Sequence, residues 1–169
     1  MRLDLVAYAS DCLISGSLEL ASGRLSDLLA GTDGIELASV HLRALDDGRV
    51  VELASLVVPL DDVCLIGVGG PRGDARRRVR MVARRFEMSV GPYEVVANLH
   101  TLPTADPLAS MRHRARIVLM TGAVVEFDLA GIRMTNEIEV IGVNRDHVRH
   151  LRALQSSIAA PLVMAEPAP

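Results

Sequence analysis

Gly48-Arg-Val-Val-Glu-Leu53, followed by Val63-Cys-Leu-Ile-Gly-Val68, decides how this chain is read, because it recurs. The second version is Gly122-Ala-Val-Val-Glu-Phe127 with Ile138-Glu-Val-Ile-Gly-Val143. Each reads as a turn glycine, a strand opening on Val-Val, a polar break and a strand closing on Ile-Gly-Val. Self-similarity over this length implies two copies of one small module. Residues 1–70 form the first module, 75–158 the second, and 159–169 a Pro- and Ala-rich flexible tail.

Working outward, the first module reads as five strands. Arg2 to Tyr8 alternates, and Leu13 to Leu20 places Ile14, Gly16, Leu18 and Leu20 on one face. Gly16 in mid-strand predicts a bulge or bend. Ile35 to Leu45 is a third strand, Asp46-Asp-Gly48 a hairpin turn, and Arg49 to Val58 a fourth. Pro59 to Asp62 breaks the chain before Val63 to Val68. In the second module, Arg78 to Ser89 and Tyr93 to Leu102 read as strands, and Val95-Val-Ala-Asn-Leu99 echoes Ile14-Ser-Gly-Ser-Leu18. Arg116 to Met120 follows, with a hairpin at Thr121-Gly122. Asp146 to Gln155 reads as a short C-terminal helix, with Val148, Leu151 and Leu154 on one stripe. The expected core includes Val50, Leu53, Val63, Leu65, Val124, Phe127, Ile138 and Val140.

This plan resembles the Sm/LSm-like small barrel, and SH3-like barrels more broadly. The resemblance rests on Ile14 to Leu18, Leu25 to Leu29, Val40 to Leu45 and Val63 to Val68. It implies an all-β fold of two tandem five-stranded barrels whose fourth and fifth strands present open edges used for ring assembly. Where Sm proteins read RNA, this chain carries Ser26 to Gly31 and Pro59 to Asp62, without the RNA-reading residues. Gly23-Arg-Leu-Ser-Asp-Leu-Leu29 also resembles an uncharacterised bacterial family of paired modules, which supplies no function.

The 169 residues are half apolar, with mean hydropathy +0.30, enough for a core. There is no Trp, and only two Tyr and two Phe. All 18 basic residues are arginine. Residues 1–70 hold 4 Arg against 11 acids, and residues 71–169 hold 14 Arg against 10 acids. An acidic half followed by a basic half suits packing of one on the other, within or between chains. Cys12 and Cys64 sit in apolar runs and read as buried free thiols. No apolar run is long enough to span a membrane. The acidic, alternating N-terminus does not read as a signal peptide, so a cytoplasmic protein is expected.

The candidate ligand-binding residues are arginines. Arg76, Arg77, Arg78, Arg80, Arg84 and Arg85 form the densest run, and Arg112, Arg114 and Arg116 a second. Guanidinium groups suit phosphate. Gly67-Val-Gly-Gly-Pro-Arg-Gly73 follows a strand but lies in no βαβ unit, so it reads as a linker. The arginine run ahead of Ser89-Val-Gly91 is similar to the cyclic-di-GMP-binding PilZ barrel, with a different spacing. The scarcity of aromatics for base stacking weighs against nucleic acid. His147 and His150 read as a surface pair, no metal or cofactor is implied, and no nucleophile motif assembles. The expectation is therefore a non-enzymatic binding or assembly protein, a homo-oligomer built as a dimer or a ring. The alternative is a nucleic-acid or nucleotide-binding regulator using the arginine-rich surface.

Overall fold

The computed structural model describes residues 2–20, 28–29, 31–69, 81–112 and 115–154. Its strands are β1 (Arg2–Ala9), β2 (Cys12–Glu19), β3 (Gly34–Ala44), β4 (Val50–Pro59) and β5 (Val63–Val68), then β6 (Val82–Val90), β7 (Tyr93–Thr101), β8 (Ile117–Leu129), β9 (Ile132–Asn144) and β10 (Val148–Ala153). A 3₁₀ turn at Leu60–Asp62 precedes β5, another at Arg145–His147 precedes β10, and a short helix α1 (Pro107–Arg112) lies between β7 and β8. The fold is all-β, as the alternation predicts. All ten strands join one antiparallel sheet in the order β10-β6-β7-β8-β9-β5-β1-β2-β3-β4. Each half repeats one order: fifth strand, first, second, third, fourth. Among the described residues the sheet is open, and its two edges are β10 and β4.

The halves match in their irregularities too. Between β2 and β3 the register slips from Ser15↔His41 to Ser17↔Ala38. Between β7 and β8 it slips from Val96↔Val124 to Asn98↔Thr121. The extra residues are left-handed at Ser39 (φ 53°) and Gly122 (φ 57°). The first and fifth strands repeat a second bulge, with Cys64 extra in β5 and Arg149 extra in β10.

These registers correct the repeat. Thr121-Gly122 is no hairpin, because β8 runs through it as a bulge. The turn lies at Ala130–Gly131, where φ values of 50° and 76° suit a tight hairpin. Gly131 is thus the counterpart of Gly48 (φ 73°), and Val95 to Leu99 does match Ile14 to Leu18. Val63–Val68 and Ile138–Val143 are not equivalent strands. They lie in β5 and β9, which are hydrogen-bonded partners.

The expected C-terminal helix is also corrected. Residues 145–147 form a 3₁₀ turn and Val148–Ala153 a strand, while residues 155–157 lie outside the described residues. The bulge at Arg149 lets Val148 and Leu151, three apart, both pack on the same core. That spacing is what imitates a helical stripe.

Two buried clusters result. One gathers Phe86, Met88, Tyr93, Val95, Leu99, Met120 and Phe127, together with Tyr8, Cys64 and Leu65 from the first half. The other gathers Leu5, Ile14, Leu18, Ile35, Leu37, Val40 and Leu60, together with Ile117 from the second. Of the expected core, Val63, Leu65 and Phe127 are buried. Val124, Ile138 and Val140 are half-buried. Val50 and Leu53 are exposed, because β4 is an edge strand. No helix among the described residues is long and apolar enough to cross a membrane.

Candidate functional site

The halves meet where strand five of the first pairs with strand four of the second. The ladder runs Leu65↔Val143, Ile66↔Gly142, Gly67↔Ile141 and Val68↔Val140. Both strands are apolar here, so the seam buries carbon rather than charge. Gly142 is dictated by close approach: a Cβ there would sit 2.8 Å from Ile117 Cγ2.

Polar groups fix the seam's position. Asn144 is fully buried, and its Nδ2 donates to Leu60 O (3.0 Å) and Val63 O (2.8 Å), while its Oδ1 accepts from Asp146 N (3.1 Å). Tyr93 Oη donates to Ala9 O at 2.5 Å, and Asn136 Nδ2 donates to Tyr8 Oη at 3.2 Å. Tyr8, Tyr93 and Phe127 stack edge-on, with centroids 5.3–6.1 Å apart. Burial holds the Tyr93 phenol far above its ordinary pKa. Arg116 pairs with Asp61 across the seam, and Asp61 O also meets His147 Nε2 at 2.7 Å. Here the acidic half meets the basic half through an ion pair.

Two broad cavities line the sheet on either side of Glu137–Glu139. One of about 650 Å³ is lined by Tyr8, Ser15, Ser17 and His41, among others. The other, of about 780 Å³, is lined by Arg85, Asn98, His100 and Thr121, among others. His100 Nε2 lies 2.7 Å from Thr121 Oγ1 and pins the ladder beside the Gly122 bulge. Among the described residues no three His, Cys, Asp or Glu side chains gather as metal ligands. Cys64 is buried, Cys12 half-buried, and both are free.

The two edges differ in chemistry. β4 exposes Val50 (44%), Val51 (46%), Leu53 (38%) and Val57 (63%), with a single charged residue, Glu52, among them. β10 exposes Arg149, His150 and Arg152. By the repeat, these occupy the positions of Cys64, Leu65 and Gly67, which β9 covers in the first half. Charge on an edge strand opposes further pairing.

The candidate arginines do not converge. Arg76, Arg77, Arg78, Arg80 and Arg114 lie outside the described residues. Arg84 and Arg85 are successive residues of β6, pointing to opposite faces. Arg112 ends α1, exposed. Arg116 is held by Asp61, and its Nε lies 3.2 Å from Asp146 Oδ2 without hydrogen-bond alignment. Sequence reasoning missed Arg145 and Arg149, which line a cavity with Arg112. Arg149 lies in the segment read as a short helix, and Arg145 directly before it. His147 and His150 fall apart, one in the 3₁₀ turn and the other in β10. Comparison with protein-family models, with curated proteins and with solved structures finds no match for this chain.

Proposed function

We propose that this chain is a non-enzymatic assembly protein of two tandem Sm-like small barrels. In this reading it forms a homodimer by pairing β4 with β4 of a second copy. The observation that carries the reading is the β4 edge, which has no partner strand on its outer side among the described residues and exposes four apolar side chains, at one end of a sheet whose other end is charged. The seam supports it, since β5 and β9 already join one edge to another through apolar strands. An unpaired strand with exposed valines is a template for a further strand. Twofold pairing is the commonest closed arrangement, and it uses β4 twice while leaving the arginine-bearing β10 outside.

Light scattering coupled to size exclusion tests this. The wild type should run at twice the 18.2 kDa chain mass, at low and high salt alike. Val51→Lys with Val57→Lys should return it to the monomer, with an unchanged circular dichroism spectrum. A β10 variant at an exposed position, Ala153→Pro, should leave the dimer intact. A wild-type monomer at micromolar concentration refutes the reading. A larger ring lost equally in β4 and β10 variants replaces it with head-to-tail pairing.

A further inference from the structure

We propose that the cavity between α1, the second 3₁₀ turn and β10 is a binding site for a phosphate-type oxyanion. This cavity, about 460 Å³, is lined by Met111, Arg112, Arg145, Asp146, Val148, Arg149, His150 and Leu151. Three arginines therefore line one space with a single carboxylate. That carboxylate, Asp146, lies 3.2 Å from Arg116 Nε, outside the cavity, and 3.9 Å from Arg145 Nε within it. Arg112 and Arg149 have no carboxylate partner among the described residues.

The site is held in shape by its own contacts. Arg145 Nη1 donates to Arg112 O at 2.5 Å, tying the 3₁₀ turn to the end of α1. Arg145 N donates to Arg116 O at 3.1 Å. Met111 is buried, and Val148 and Leu151 are half-buried on the second core, giving an apolar wall. Cationic groups in a concave site with low-dielectric walls focus their field on a small anion. Planar guanidinium forks match the oxygens of a phosphate in geometry as well as charge.

The first half supplies the contrast. The positions equivalent to Arg145, Arg149 and His150 hold Leu60, Cys64 and Leu65, all buried. One set of structural positions thus closes a seam in one half and opens a cationic cavity in the other. A merely solvated edge needs charge on β10 alone. Here a residue of α1 and one of the 3₁₀ turn face the same space as Arg149.

The probe is inorganic pyrophosphate, titrated calorimetrically into the full chain at fixed ionic strength, with oligothymidylate as a second arm. Arg112→Gln and Arg149→Gln should each weaken pyrophosphate binding about tenfold, and Arg43→Gln, on β3 in the other half, should not. Arg145 is left intact because it braces α1. Loss of oligothymidylate binding in the same two variants, with pyrophosphate weak, supports the site with a nucleic-acid backbone as its phosphate source. Binding of neither probe, or binding indifferent to both substitutions in variants that melt like the wild type, overturns the proposal.

Discussion

Asn144 offers the sharpest test of how the halves are held together. Its side chain is fully buried and makes three hydrogen bonds, two as donor to Leu60 O and Val63 O and one as acceptor from Asp146 N. Asn144→Ala strands two carbonyls and one N–H at the start of β5 and the end of β9. At about 1 kcal/mol net for each bond, the loss is about 3 kcal/mol. Asn144→Asp is the stricter probe, because it preserves shape and the acceptor but replaces both donors with a carboxylate oxygen facing two carbonyls. It should cost at least as much at neutral pH. A buried carboxylate with one backbone N–H donor and two facing carbonyls prefers its neutral form, so its folded pKa is raised. Its deficit should therefore widen as pH rises above about 4, the ordinary aspartate value. Urea unfolding followed by circular dichroism, at pH 4 and pH 7, measures both effects. If Asn144→Ala costs less than about 1 kcal/mol, or Asn144→Asp unfolds like the wild type, the polar lock described here is wrong.

Gly142→Ala should destabilise by about 1–3 kcal/mol, since its Cβ would lie 2.8 Å from Ile117 Cγ2 in a packed seam; a shift in urea midpoint reads it. Leu65→Ala, at a fully buried site, should cost about 2–4 kcal/mol, and the half-buried Val140→Ala clearly less; equal losses would place the core elsewhere. Burial pushes the Cys64 thiol up to about 11, against an opposing pull from Arg149. Burial likewise raises Cys12 to about 11, with Asp11 adding to it. Both groups are acids with raised folded values, so their contribution is intact below pH 9 and is lost as pH climbs from 9 towards 11. Urea midpoints should fall across that window, and less so in the Cys12→Ala, Cys64→Ala double variant.

Local chemistry made part of this legible. Alternation gave the strands from β1 to β7 to within a few residues. Asp46-Asp-Gly48 gave its turn, and Ile14 to Leu18 matched Val95 to Leu99 correctly. The errors share a cause. A glycine with positive φ serves equally in a hairpin or a bulge, so Gly122 could not be told from Gly131 without its partner strand. The recurrence of Ile-Gly-Val imitates equivalence, whereas the two segments pair with each other across the seam, and pairing leaves no mark within either strand. At β10, a bulge moved two apolar residues into a helical spacing. The cavity of Arg112, Arg145 and Arg149 was invisible for the same reason: its members come from three elements that only the tertiary fold brings together.

Tyr8 lies in β1 of the first half yet packs in the second core, and Ile117 of β8 packs in the first. Each half thus completes its neighbour's interior. Neither core can loosen without opening a hole in the other, so two near-copies of one plan should melt as a single unit. One calorimetric transition, with van't Hoff and calorimetric enthalpies equal, is the signature of that exchange. Repetition of structure and independence of folding are here separate properties.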